Sequence, residues 1–189
     1  MKIQGEREMK ALLLIDIQKD YFPDGRMELY GSEVAGARAG ALLQACREKR
    51  LPVFHVQHLA AGAGATFFLP GTEGVEFYEA VLPLPGESVT QKHYPSAFRD
   101  TDLYEKLKKR GVSELVVTGM MTHMCVDTTV RAAFDLGFAC TLAHDGCATR
   151  TLSFGGRDVV APQVQAAYLA ALDGTFARVA GVADICAEL

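Results

Sequence analysis

A thiol, a carboxylate and an ammonium group stand at or just beyond the ends of three apolar runs in this 189-residue chain. Asp16 closes "ALLLID" (11–16), Lys92 falls near the end of "SVTQKHY" (88–94), and Cys125 follows "ELVVTG" (114–119) and "MMTHM". Taken singly, each has a bland explanation. A free cysteine is usually a small buried hydrophobe, an Asp at a strand end is often a turn former, and a loop lysine is usually solvated. Cys125 departs from the bland explanation by its position. With Thr122 as a cap it falls in the first turn of a helix. Orphan N–H groups and the positive end of the helix dipole there stabilise a thiolate and pull its pKa below ~8.5. The same N–H groups can receive the negative oxygen of a tetrahedral intermediate. A carboxylate such as Asp16 can take the thiol proton and later deliver it to a leaving amine, so no histidine is required. Asp127 and Arg131, four residues apart, read as an outer-face ion pair without chemical meaning. Spacing alone does not bring Asp16, Lys92 and Cys125 together.

The elements that must position these groups alternate along the chain. Strands are expected at 11–16, 52–58, 88–94, 114–119, 138–145 and 176–181, each short and largely apolar. Helices are expected at 32–50, 100–111, 123–137 and about 157–173, with a terminal helical turn from 182. In the first helix Ser32 reads as the N-cap, and Val34, Ala37, Ala41, Leu42 and Ala45 as the inward face. In the third, that face is Val126, Val130, Ala133, Phe134 and Gly137. Strands that are apolar throughout and alternate with helices predict an α/β fold. The architecture is a three-layer αβα sandwich on a mainly parallel sheet. In such sheets ligands bind beyond the carboxyl ends of the strands, where the three polar residues fall. The Gly- and Pro-rich stretch 59–87 is too long for a plain connection and reads as a substrate loop or lid.

Composition narrows the function. Apolar residues make up 49% and charged residues 22%, an ordinary globular balance that excludes a disordered chain. A net charge of −4 argues against a nucleic-acid partner, because phosphate contacts need a basic surface. No apolar run approaches the ~18 residues of a membrane span. Residues 1–10 read as a polar extension without a secretory h-region. Five cysteines in no pairing or zinc-finger pattern predict free thiols in a reducing cytoplasm. The chain reads as one domain over 1–189. Strand one is followed by no glycine-rich phosphate loop, which makes a nucleotide or flavin binder the weaker reading.

The blocks "LLLIDIQKDYF", "QKHYPSAFRDTDL", "GMMTHMCVDTTVRAAFDLGF" and "HDGCATRTL", in this order, resemble the isochorismatase-like cysteine hydrolases. The resemblance runs from about residue 11 to 180, and the long "QHLAAGAGATFFLPGTEG" segment draws it toward the streptothricin-hydrolase-like branch. It implies a six-stranded sheet in the order 3-2-1-4-5-6 and a triad of Asp16, Lys92 and Cys125. It also implies a cis peptide at Met120–Met121 and an oxyanion hole from the Met121 and Cys125 N–H groups. The activity implied is hydrolysis of a small amide at its C–N bond through a thioester. Phe22, Phe67, Phe68 and His123 become candidate pocket residues. Oligomers of two or more copies are implied, with no cofactor. The Asp-x-His of metal-dependent nicotinamidases is missing: the region reads "HVQHLAAG", which predicts one packed histidine and one near the pocket, and no metal site. Some isochorismate-cleaving relatives replace the nucleophilic cysteine; its retention here favours amide hydrolysis. An isochorismatase- or nicotinamidase-type hydrolase, or a non-catalytic binding member of the fold, is the alternative.

Overall fold

The computed structural model describes residues 9–189, and Met9 and Lys10 already belong to strand β1 (Met9–Ile15). Of the polar extension expected at 1–10, residues 9 and 10 are strand, and residues 1–8 lie outside the described residues. Strand β1 divides the core by its alternation. Leu12 and Leu14 face one cluster, Ala11, Leu13 and Ile15 the other, and all five are essentially solvent-free. Burying each large aliphatic side chain is worth ~1.5–3 kcal/mol, so this strand is a rigid support for the residue at its carboxyl end, Asp16.

The remaining strands are β2 (Val53–His58), β3 (Ser88–Lys92), β4 (Val112–Met120), β5 (Ala139–Ala148), β6 (Leu152–Phe154), β7 (Arg157–Val159) and β8 (Arg178–Ala180). Six form one sheet in the order β3-β2-β1-β4-β5-β8, every pair parallel. This is the expected order, with β8 in the sixth place. The first face is covered by α1 (Ser32–Glu48) and α5 (Val182–Ala187), the second by α2 (Leu103–Lys109), α3 (Asp127–Asp135) and α4 (Ala161–Leu172). The register sets the strand ends level: Ile15 lies beside Val56 and Gly119, and His58 beside Lys92.

Several local expectations are corrected. The cap of α1 is Gly31 at φ 71°, not Ser32, which is the first helical residue. Its buried face is Ala35, Gly36, Ala39, Leu42, Leu43 and Cys46; Val34, Ala37 and Ala41 face solvent. Glycine hid this face from the apolar pattern. A Cβ on Gly36 would stand 2.8 Å from the Phe22 ring, so the position is glycine because an aromatic ring lies on it. Phe134 and Gly137, expected inward, are exposed. The helix expected from 157 starts at Ala161; before it, β6 and β7 form an antiparallel hairpin. Its turn is Gly155–Gly156, both at positive φ (59° and 74°), the backbone a two-residue hairpin favours. Among the described residues no helix is long and apolar enough to cross a membrane.

Segment 59–87 holds only two short 3-10 turns, Glu73–Val75 and Glu79–Val81. Polar anchors fasten it instead. Buried Gln18 donates to His58 O (3.0 Å) and Val75 O (2.9 Å) and accepts from His58 N (2.7 Å). Buried Asp20 accepts from Phe68 N at 2.6 Å. At the far end Glu87 binds Arg47 through both oxygens at 2.8 Å and pairs with His55 Nε2 at 2.9 Å.

Candidate active site

Asp16 is the first residue beyond β1 and takes φ 51°, a left-handed conformation that Asp tolerates better than most residues. The neighbouring strand explains how it fits. Gly119 (φ 149°) crosses so close that a Cβ there would meet Ile15 O at 2.2 Å. Lys92 ends β3. Cys125 lies in a π-helical turn (Thr122–Val126) between β4 and α3, closed by Val126 N donating to Met121 O at 3.2 Å. The Met120–Met121 peptide is cis, as the resemblance implied.

These three distant residues meet. Lys92 Nζ stands 2.6 Å from Asp16 Oδ2 and 3.3 Å from Cys125 Sγ, and it also donates to Tyr94 O at 3.1 Å. His58 joins them: its Nδ1 is 2.8 Å from Lys92 Nζ and 3.9 Å from Asp16 Oδ2. Asp16, Lys92 and Cys125 are all buried, while His58 keeps 19% of its side chain exposed, so it lies on the open edge of the cluster. The Asp16–Lys92 contact is the shortest in the cluster, a fully buried ion pair between carboxylate and ammonium.

The electrostatics correct one expectation. Thr122 does not cap the turn; its hydroxyl donates to Ala148 O at 3.2 Å. Burial, then the Asp16 carboxylate, push the Cys125 thiol up, and Lys92 only partly opposes them. The resting sulfur is therefore a neutral thiol with a base beside it, not a standing thiolate. Burial works against the Lys92 charge, but the Asp16 carboxylate, joined by the sulfur once it ionises, outweighs burial and raises the Lys92 pKa. Burial and the Lys92 charge bring His58 down to about 4, so its ring is neutral at pH 7. A carboxylate, an ammonium and a thiol in this arrangement can move a proton off sulfur and stabilise the anions formed.

Asp16, His58 and Cys125 also offer one oxygen, one nitrogen and one sulfur within 4.8 Å of one another, a donor set that suits zinc. Lys92 stands in the way. Its ammonium already bonds His58 Nδ1 and Cys125 Sγ and pairs with Asp16, so the lone pairs a dication needs face a fixed cation. The residues present do not fit a metal.

The candidate pocket residues divide. Phe68 is buried with its ring 5.7 Å from His58, and Phe67 packs 5.0 Å from Phe68. Phe22 instead stacks flat on Tyr78 at 3.5 Å, against Gly36. Its neighbour Tyr21 is closer to the chemistry. It lies 4.6 Å from Phe68, and burial, then the sulfur once ionised and the Asp16 carboxylate, drive its phenol well up. His123 sits in the π-helical turn, its Nδ1 2.6 Å from Thr149 Oγ1. Residue-type reasoning missed Gln18, Asp20 and Tyr21. The signal available was "DIQKDY", a run too polar for a loop packed against a core. His55 is buried on Glu87 and His58 lies at the site, as "HVQHLAAG" suggested. Cys46, Cys140 and Cys147 are buried, Cys186 is half-buried, and all five cysteines are free. The expected Asp127–Arg131 pair forms at 3.0 Å. An apolar groove of about 660 Å³, lined by Tyr30, Val34 and Leu169 among others, includes none of the triad.

Comparison with known proteins agrees with this geometry. The isochorismatase domain model matches residues 10–184. The isochorismatase family protein YddQ of Bacillus subtilis is 52% identical over 89% of this chain and 94% of its own length. A streptothricin hydrolase of Streptomyces noursei is 35% identical over 75% of this chain and 50% of its own. The crystal structure of a protein from Oleispira antarctica, described as an isochorismatase hydrolase, superposes with a TM-score of 0.92 at 43% identity. It covers 99% of both chains. On these grounds the chain belongs to the isochorismatase family of hydrolases.

Proposed function

We propose that this protein hydrolyses a small amide at its C–N bond through a thioester on Cys125. One observation carries the reading: a single buried ammonium, Lys92, contacts both the Asp16 carboxylate and the Cys125 sulfur. Asp16 takes the thiol proton as Cys125 attacks the amide carbonyl, and Lys92 offsets the charge that remains. The Met121 N–H group, just before the π-helical turn, and the Cys125 N–H group within it receive the oxyanion. Asp16 returns the proton to the leaving nitrogen. It then takes one from water, and the thioester is released as acid. The neutral resting thiol supports this order, since deprotonation is then coupled to attack. The likeness to streptothricin hydrolase favours a cyclic or modified amide over a peptide.

Tyr21, Phe67 and Phe68, packed on one another beside His58, are the aromatic side chains assigned to the substrate, with His123 of the π-helical turn as a fourth pocket residue. Segment 59–87 is the lid that admits substrate to a buried sulfur. The active form is an assembly of two or more copies, which light scattering of the purified protein would show.

A panel of nicotinamide, carbamoyl amines and cyclic lactams, assayed with wild type and Cys125→Ala, tests the reading. At least one amide should be turned over, and Cys125→Ala should lower that rate by more than ~1,000-fold without loss of fold. Full activity in the variant would sink it.

A further inference from the structure

The β6–β7 hairpin has little support from its own chain. Residues 153–159 are all exposed, and among the described residues the two strands pair only with each other. A two-stranded hairpin standing alone is marginal in water. Its two sides differ. Leu152 pairs with Val159 and Phe154 with Arg157, so these four side chains leave one face. Ser153 and Asp158 leave the other, where the hydroxyl donates to the carboxylate. Phe154, beside the turn, is 90% exposed, so its ring is left uncovered by the described residues of its own chain. Both feet of the hairpin stand at the apolar groove of about 660 Å³. Thr149 and Ala161 line that groove, and Ala161 N donates to Thr151 Oγ1 at 3.2 Å. Tyr30 and Val34 in the groove are themselves 70% and 67% exposed. Its acidic lining residue is Asp145, whose Oδ2 has Arg38 no nearer than 3.8 Å. A ring and a guanidinium on one face of the hairpin thus match an apolar groove that holds a carboxylate.

We propose that this groove receives the hairpin of a second copy of the chain, and that the two copies exchange hairpins about a two-fold axis. Phe154 of each enters the other's groove beside Tyr30, Val34 and Leu169, and Arg157 meets Asp145. A knob and a socket side by side on one chain make a self-complementary surface, and two-fold exchange closes the contact at two copies. Burying the Phe154 ring and the apolar face behind it supplies the support the hairpin lacks alone. The proposal gives the assembly named under the proposed function its surface, and it rests on that assembly. The contact also borders the candidate pocket, because Thr149, which lines the groove, bonds His123.

Light scattering after size separation, on the full chain across a dilution series, reads the mass in solution. Wild type should be a dimer or an even multiple of one. Phe154→Ser and Val34→Glu should each raise the dissociation constant by about 30-fold or more, because a buried aromatic anchor is a hot spot and a dimer loses two of them. Both positions are exposed in the single chain, so circular dichroism of both variants should match wild type. A covalent test is independent of affinity. Phe154→Cys protein is mixed with isotope-labelled Val34→Cys protein and oxidised with copper phenanthroline. Peptide mass spectrometry should find a disulfide joining position 154 of one chain to position 34 of the other. A wild type that is monomeric throughout the series overturns this surface and the assembly together, and leaves the groove to a different protein or a small apolar ligand. An assembled wild type whose Phe154→Ser and Val34→Glu variants stay assembled, with no link between 154 and 34, overturns the surface alone.

Discussion

At the residue scale, the site is built on one buried ammonium shared by two partners. Lys92 stands 2.6 Å from the Asp16 carboxylate and 3.3 Å from the Cys125 sulfur. The thiol beside it is kept protonated by burial and by that same carboxylate. Asp16→Asn should therefore separate two properties that usually move together. Turnover should drop by ~100-fold or more, because the base is gone. The Cys125 thiol should become easier to ionise, because an anion is removed while Lys92 remains; the pH profile of its alkylation should move to lower pH. A variant that loses turnover with its thiol profile moved upward would contradict the assignment. At this scale the sequence was informative about identity and weak about environment. Asp16, Lys92 and Cys125 were visible as polar residues at strand ends. The raised thiol was not, because burial and the Asp16 carboxylate cause it, and both arise only when distant strands meet.

At the element scale, the site depends on how closely β1 and β4 approach. Gly119 is the contact point: its φ of 149° and the 2.2 Å gap from a Cβ to Ile15 O leave no space for a side chain. Gly119→Ala must push Ile15 away, and Asp16 moves with it. We expect about 2–3 kcal/mol lost from stability by denaturant unfolding, and turnover reduced beyond what that loss explains. An alanine variant with wild-type stability would show that the strands give way freely here. The six sheet strands were legible because their apolar runs are short and bounded. The β6–β7 hairpin was overlooked although Gly155–Gly156 marks it. The α1 face was misplaced because two of its inward or half-inward positions are glycines, which carry no apolar signal.

At the scale of the whole molecule, segment 59–87 is joined to the sheet by polar groups rather than by regular structure. Gln18 and Asp20 hold its first part, and the His55–Glu87–Arg47 cluster holds its end. This cluster gives the fold an acid-side weakness. Burial alone would raise Glu87, but Arg47, the Leu84 N–H and His55 together bring it down to about 2. A depressed carboxylate contributes stability above its unfolded pKa of ~4.3 and loses it as pH falls through the folded value. His55 adds to the same trend, since burial lowers its pKa and the unfolded chain takes up the proton first as pH drops below ~6.5. Glu87→Gln should melt lower than wild type at pH 7, and the gap should narrow below about pH 4.3 and close only as pH falls to about 2. Parallel melting curves across that range would show that the cluster is not an anchor. The length and composition of 59–87 were legible in the sequence; these anchors were not, because each pairs residues 32–57 positions apart.

The central claim is that Cys125 carries the acyl group. Its most direct test is acid-quenched intact-mass and peptide analysis of wild type mixed with the best amide of the panel. The account predicts a transient adduct, equal in mass to the acyl half of the substrate, on the Cys125 peptide and absent from Cys125→Ala. Turnover with no such adduct at any quench time, under conditions where a model thioester survives, would contradict it.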